Sequence, residues 1–164
     1  MASGYLESLL GQNERVLLIA RQHWTILLRS IVLEIVIILI LAGGTTLAGV
    51  FFPPLFLAYL LILIPLVLLI LDILRWWNLQ YVVSNRRVIQ VSGVFNKATI
   101  DSSLEKVNDV KMEQSFFGRM LDYGDIEILT ASELGVNRFS RISHPIAFKT
   151  AMINAKEQMG ANND

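Results

Sequence analysis

Apolar residues in this chain change period along its length. From Ile26 to Leu74 they run almost unbroken, interrupted at Pro53-Pro54. The first run, Ile31 to Phe52, carries one charge, Glu34; the second, Leu55 to Leu71, carries none. A helix needs roughly 20 mostly apolar residues to cross a hydrocarbon core of about 30 Å. The first run suffices alone, the second once Pro54 and Asp72 to Leu74 are counted as its ends. The pattern predicts a transmembrane helical hairpin over residues 26–75. Its first run starts too late, is too long and is followed too soon by another to be a cleaved leader. Pro65 deletes one backbone hydrogen bond and predicts a kink in the second helix.

After Trp77 the period falls to two. Asn78 to Val83 and Arg87 to Val91 are strand-like, with Ser84-Asn85 as a tight turn between them and Ser92-Gly93 closing the second. Further strands are predicted at Ala98 to Ser102, Val107 to Glu113, Ile126 to Thr130 and Val136 to Ile142, the last with Val136, Arg138, Ser140 and Ile142 on one face. Phe116 to Leu121 forms a short turn or helix with Ser115 as its cap, and Leu134-Gly135 a turn. His144-Pro145 opens a helix whose stripe is Phe148, Met152, Ala155 and Met159. The order is short antiparallel strands and then one amphipathic helix, an α+β domain in which the helix caps a small barrel or orthogonal sandwich.

Composition narrows the function. The chain is 54% hydrophobic with mean hydropathy +0.53, an excess that lies in the hairpin. Its formal net charge is zero, which argues against nucleic acid as a partner. It has no cysteine, which excludes disulfides, thiolate metal sites and thiol catalysis. Arg15, Arg21 and Arg29 precede the first helix and Arg75, Arg86 and Arg87 follow the second, while Phe51 to Leu55 holds no Lys or Arg. The positive-inside rule then places a multi-pass protein in the plasma (inner) membrane with both termini cytoplasmic.

Candidate chemistry is sparse. His23 and His144 have no partner at metal-ligand spacing, and no phosphate loop, dinucleotide fingerprint or nucleophile motif occurs. Asp101, Glu105, Asp109 and Glu113 read as solvated strand edges. No enzyme, cofactor or metal is expected. Within the hairpin, Glu34 and Asp72 lie near the same leaflet, where an intramembrane carboxylate marks an ion path or pairs locally, as Asp72 can with Arg75. Gly44 and Ala48 are a small-residue pair that serves packing within the hairpin or between chains.

The string from Tyr81 to Ile89, then Ser92-Gly93-Val94-Phe95, resembles the start of the bacterial pleckstrin-homology-like domains. Leu104 to Val110, Gln114-Ser115, Gly118-Arg119 and Tyr123-Gly124-Asp125-Ile126 are similar as well, and Asn13 to Leu17 with His23-Trp24 is similar to the segment before the family's hairpin. The resemblance covers nearly the whole chain. It implies a seven-stranded PH-like β-barrel or sandwich capped by a C-terminal helix. Only six strands are predicted after the hairpin, so Val16 to Ala20 is either the seventh or a short helix. The division expected is an N-terminal cytoplasmic segment at 1–25, the hairpin at 26–75, a PH-like domain at 76–159 and a disordered tail at 160–164.

A binding or scaffolding module follows, with membrane lipids and a homo-oligomer or another membrane protein as partners. Arg75, Arg86, Arg87 and Lys97 are candidates for anionic headgroups, or else ordinary surface charges, with Arg87 able to pair with a carboxylate such as Asp125. Trp76 and Trp77 suit the headgroup layer. Phe116 and Phe117 either close the core, the favoured reading, or touch a membrane or partner. The alternative function is a subunit of a small transport or channel assembly using Glu34 and Asp72.

Overall fold

The computed structural model describes residues 8–130 and 136–161. The chain divides into two compact units, one holding Trp24–Asn78 and the other the chain up to His23 and from Leu79 onward.

In the first unit, a 3-10 turn at Trp24–Ile26 leads into α1 (Leu27–Phe51). Pro53–Ile62 then winds as a 3-10 helix and α2 (Leu63–Asn78) completes the return. Pro65 lies in the first turn of α2, where a missing N–H removes no hydrogen bond within the α-helix. The two helical stretches, 28 and 26 residues, are long and apolar enough to cross a membrane. Only 6% of the most apolar window in each is buried, which separates them from core helices. The Thr46 and Tyr59 hydroxyls join the two arms at 2.6 Å. Asn78, expected in a strand, instead ends α2 by donating its Nδ2 to the Leu74 carbonyl at 2.8 Å.

The second unit is a sandwich of two antiparallel sheets. β1 (Val16–Arg21), β2 (Gln80–Ser84), β3 (Arg87–Ser92) and β4 (Ala98–Ser103) form one, in that order. β5 (Val107–Glu113), β6 (Tyr123–Thr130) and β7 (Val136–Ser143) form the other. A bridge between Gln22 and Ile142 links them at one corner, and the sheets do not close into a barrel. A short helix, α3 (Phe116–Leu121), connects β5 to β6, and α4 (Pro145–Ala161) packs its stripe onto the core. Phe148, Met152 and Ala155 are buried as the spacing predicts. Gly160 and Ala161, expected in the frayed tail, are the last two residues of α4. The expected Leu134-Gly135 turn lies outside the described residues.

Val16–Arg21 is thus a strand. Its pairing along β2 builds the N-terminal segment into the β-rich unit, so that segment does not stand apart. β2 is buried on both faces, which explains its continuous Tyr81-Val82-Val83 run. Tyr81 and Val83 enter the main core, whereas Val82 joins Ile89 and Val91 under Leu9 and Leu10 on the other face.

Strict alternation fails in β7. Ile142 lies opposite Gly124 but Phe139 opposite Ile126, so β7 carries one extra residue, a bulge in which Arg141 takes φ 49°. The bulge turns both Phe139 and Ile142 inward. Phe139 then packs between Tyr81 at 4.9 Å and Phe148 at 6.1 Å between ring centroids. Burial of each such ring contributes about 1.5–3 kcal/mol.

Candidate functional site

Strand register sorts the candidate residues onto two ends of the β-rich unit. Arg21 pairs with Gln80, Gln80 with Val91, and Val91 with Thr99. The chain therefore leaves the sheet at Arg21 and returns at its neighbour Gln80, and the whole hairpin is the β1–β2 connection. We call this the exit end. At the other end of the same strands Val16 pairs with Ser84, beside the Ser84–Arg87 turn. Four residue steps at ~3.3 Å separate the two ends of β2 by about 13 Å.

At the turn end, two strings of the family resemblance meet. Arg15 N–H donates to Asn85 Oδ1 at 2.8 Å, and Asn85 Nδ2 donates to the Asn13 carbonyl at 3.2 Å. Glu14 accepts from Arg87 Nε and Nη2, both at 2.9 Å, from the Ser84 hydroxyl at 2.7 Å and from the Gly11 amide at 2.8 Å. Its side chain is 2% exposed. Burial alone would push its carboxyl up. The hydrogen bonds from Arg87, Gly11 and Ser84, with the charge of Arg87, outweigh that and hold it at about 2. Arg87 Nη1 also reaches Asp101 at 2.6 Å.

These pairings correct two expectations. Arg87 pairs with carboxylates as expected, but with Glu14 and Asp101 in place of Asp125, which binds Arg138 at 3.0 Å. Arg87 is not available to headgroups, because Glu14 and Asp101 already neutralise it. Arg86 lies on the same turn, away from the exit end, so of the expected basic set of Arg75, Arg86, Arg87 and Lys97 the three in the β-rich unit are split between its two ends. Arg86, Arg87 and Lys106 line a polar hollow of about 600 Å³ with Glu14, Asp101 and Asn137. A more apolar groove of about 480 Å³ runs between β5 and α4, past Val107, Val110, Met152 and Ile153. The β5 edge beside it is blunted by the chain itself: Lys156 Nζ donates to the Val107 carbonyl at 2.6 Å, and Asp109 Oδ1 accepts from the Val110 amide at 2.7 Å.

The exit end is different. The His23 amide donates to the Arg141 carbonyl at 2.6 Å, and its ring stacks on Tyr123 with centroids 5.1 Å apart. The Arg141 guanidinium lies 5.8 Å from the same ring centre. Burial lowers the His23 pKa; Asp122 opposes this, while the charges of His144 and Arg141 reinforce it. Tyr123 follows α3 directly. Ser115 caps that helix by accepting from the Gly118 amide at 3.0 Å, and Asp122 ends it in a left-handed conformation at φ 57° while its carboxylate meets His144 Nδ1. Gly118 is required there, since a Cβ would lie 2.6 Å from the Tyr123 carbonyl oxygen.

The helix so placed presents its large side chains outward. Phe116 is 69% exposed, Phe117 62% and Met120 64%, with Leu121 also exposed. The favoured expectation that this pair closes the core is overturned: Phe139 and Phe148 fill that role, and only Gly118 of α3 is buried. Phe95, on the β3–β4 turn of the same end, is 87% exposed. Lys97 Nζ donates to the Gly93 carbonyl at 3.2 Å within that turn, which needs Gly93 at φ 101°.

In the hairpin unit, Glu34 is 5% exposed and its Oε2 has no hydrogen-bond partner among the described residues. Asp72 lies within electrostatic reach of it and pairs with Arg75 at 3.3 Å. Gly44 does not pack against the second arm, since a Cβ there meets nothing within 4 Å, and Ala48 is half-buried. The close approach is one turn further on, at Gly49, where a Cβ would lie 2.7 Å from the Phe56 ring. Trp77 is exposed and Trp76 half-buried at the end of α2, their rings edge-on at 6.0 Å.

Antiparallel sheets of four and three strands, capped by a C-terminal helix, define a pleckstrin-homology-like domain. This chain belongs to the bacterial PH domain family, whose model matches residues 26–156. β1 lies outside the matched residues, although it completes the first sheet. The chain is similar in fold to the crystal structure of a DUF1696 family protein with a pleckstrin-homology domain from Shewanella loihica PV-4, with TM-score 0.50 and 8% identity over 94% of this chain and 93% of that one. A pleckstrin homology domain from Shewanella amazonensis SB2B gives TM-score 0.48 and 8% identity over 94% and 95%. No curated protein matches.

Proposed function

We propose that this chain is a membrane-anchored, PH-like binding and scaffolding module that performs no catalysis and works as an oligomer. The hairpin spans the inner membrane and both termini face the cytoplasm, in keeping with the arginines that flank it and the Pro-Pro connection that lacks them. The observation that carries this reading is the hairpin's place between two paired strands. β1 precedes it and all other strands follow it, so the domain folds only with the hairpin looped out of one end. Tethering of this kind raises the local concentration of the domain at the bilayer, where weak lipid or protein contacts become effective. The uncovered Gly43 and Gly44 of α1 and the exposed Leu17 and Ile19 of β1 offer surface to a second copy.

Alkaline carbonate extraction and proteolysis test the anchor. The full chain should stay in the membrane pellet, and protease should reach its C-terminal half only after permeabilisation. Release by carbonate, or cleavage from outside intact cells, overturns the anchor or its orientation. Crosslinking in native membranes that yields monomer alone removes the oligomer. A transport or channel role is the second reading, favoured by the buried Glu34 oxygen, which has no hydrogen-bond partner among the described residues and has Asp72 within electrostatic reach. It predicts that Glu34→Gln with Asp72→Asn abolishes a proton or cation flux in proteoliposomes; an unchanged flux rejects it.

A further inference from the structure

We propose that α3 is a second membrane contact, in which Phe116, Phe117, Met120 and Leu121 enter the interfacial layer of the bilayer that holds the hairpin. Phe95 of the β3–β4 turn is the companion prong. The inference rests on the anchoring read above and names the lipid surface as what this end of the domain binds.

Place is the first argument. The residue after α3's cap, Tyr123, stacks on His23, and the next residue, Trp24, begins the hairpin unit. The helix is thus held one ring away from the point where the chain departs for the membrane. The β3–β4 turn projects from the same end, because Val91 and Thr99 lie in register with Gln80 and Arg21. Among the described residues, α3 and the β3–β4 turn therefore both belong to the end of the sheets at which the chain leaves for the hairpin.

Chemistry is the second. Aromatic rings next to cations are the usual composition of a membrane–water interface. Arg21, Lys97, Arg119 and Arg141 belong to this end, and Arg119 makes no ion pair among the described residues. Its carboxylates are largely committed: Asp122 to His144, and Asp125 to Arg138 and to the Arg141 amide at 2.8 Å. Glu113 remains. That balance suits an anionic leaflet, to which each nearby cation adds attraction. The basic turn at Arg86 and Arg87, the choice that charge alone would make, is at the other end, and Arg87 is already paired with Glu14 and Asp101.

The cysteine-free chain allows a direct test. Single spin labels are placed at Leu39→Cys in the hairpin, Glu105→Cys at the turn end, and Phe95→Cys, Phe117→Cys and Met120→Cys at the exit end. The full chain is reconstituted in vesicles of phosphatidylcholine with phosphatidylglycerol. Collision with oxygen against a water-soluble nickel chelate then reports depth. Oxygen should dominate at Leu39 and nickel at Glu105. Phe117 and Met120 should show an oxygen-to-nickel ratio several-fold above Glu105, with Phe95 between. The same label at Met120 should return toward the Glu105 ratio when Phe116→Ser and Phe117→Ser are added. A Glu105-like ratio at Phe117 and Met120, with Leu39 in lipid, overturns the α3 contact and leaves the anchor standing. Shielding of Phe117 from both reagents also overturns it, in favour of a protein neighbour. Nickel access at Leu39 overturns the anchor itself.

Discussion

The two ends of the β-rich unit are made of opposite materials. At the turn end, charge is consumed inside the fold: Arg87 answers Glu14 and Asp101, and Asn85 ties down the chain at Asn13 and Arg15. At the exit end, large apolar side chains stand uncovered on α3 and on the β3–β4 turn. A basic residue in a membrane-linked chain invites a headgroup reading, but strand register decides which cations can reach a surface beside the hairpin. Here Arg87 of the turn holds the fold together, and the phenylalanines of the exit end are groups left over for something else.

The largest effect should come from breaking the clamp. Glu14 is almost wholly buried against Arg87, and removing it strips Arg87 of two charge-assisted hydrogen bonds while Asp101 stays, which puts the cost at ~3 kcal/mol, the low end for breaking a buried pair. Glu14→Leu should therefore lower the stability of the β-rich unit by that order, measured by pulse proteolysis of the full chain in detergent and urea. Glu14→Leu combined with Arg87→Met should cost clearly less than either alone. A double variant that loses the sum of the two single costs would mean that the pair does not lock the N-terminal segment to β3.

Acid probes the same clamp with less force. The folded Glu14 carboxyl titrates at about 2, against about 4.5 when unfolded, so the unfolded state binds the extra proton between those values. Its contribution is complete above pH 4.5 and is lost as pH falls toward 2, an amount of about 3 kcal/mol by linkage. Urea midpoints measured downward from pH 5 should fall across this window. In Glu14→Gln the fall should be visibly shallower, and parallel curves would show that other carboxylates carry the acid sensitivity.

Both results bear on what a sequence discloses. Six strands, the α3 helix with its Ser115 cap and the stripe of α4 follow from local period and turn residues, because those signals act within a few positions. The first strand stayed ambiguous, since Val16–Arg21 becomes a strand only by pairing with residues on the far side of the hairpin. The role of Glu14 is hidden for the same reason: its side-chain partners Ser84 and Arg87 are about 70 positions away, and an isolated Glu in a short polar segment looks solvated. The inward facing of Phe139 is not legible either, because the bulge at Arg141 breaks the strict alternation that puts Ile142 and Ser140 on one face. The Phe116-Phe117 pair was legible as two aromatic residues beside a glycine, but whether they face inward depends on how much of the core other rings already fill.

The smallest and sharpest test is at the exit end. Gly118 lies inside α3, where alanine ordinarily gains about 1 kcal/mol from helix propensity. Here the added Cβ would meet the Tyr123 carbonyl oxygen at 2.6 Å and the Ser115 hydroxyl at 3.2 Å. The backbone oxygen belongs to the residue that stacks on His23, so it moves only if α3 lifts or the β6 start shifts. Overpacking of this kind costs about 1–3 kcal/mol, which outweighs the propensity gain. Gly118→Ala should therefore destabilise the domain by about 1 kcal/mol net while leaving the Glu14 acid transition in place, because the two ends share no partner. A stabilising Gly118→Ala would mean that α3 is free to swing away from Tyr123. The apolar surface would then be held at the exit end by its connections to β5 and β6 alone.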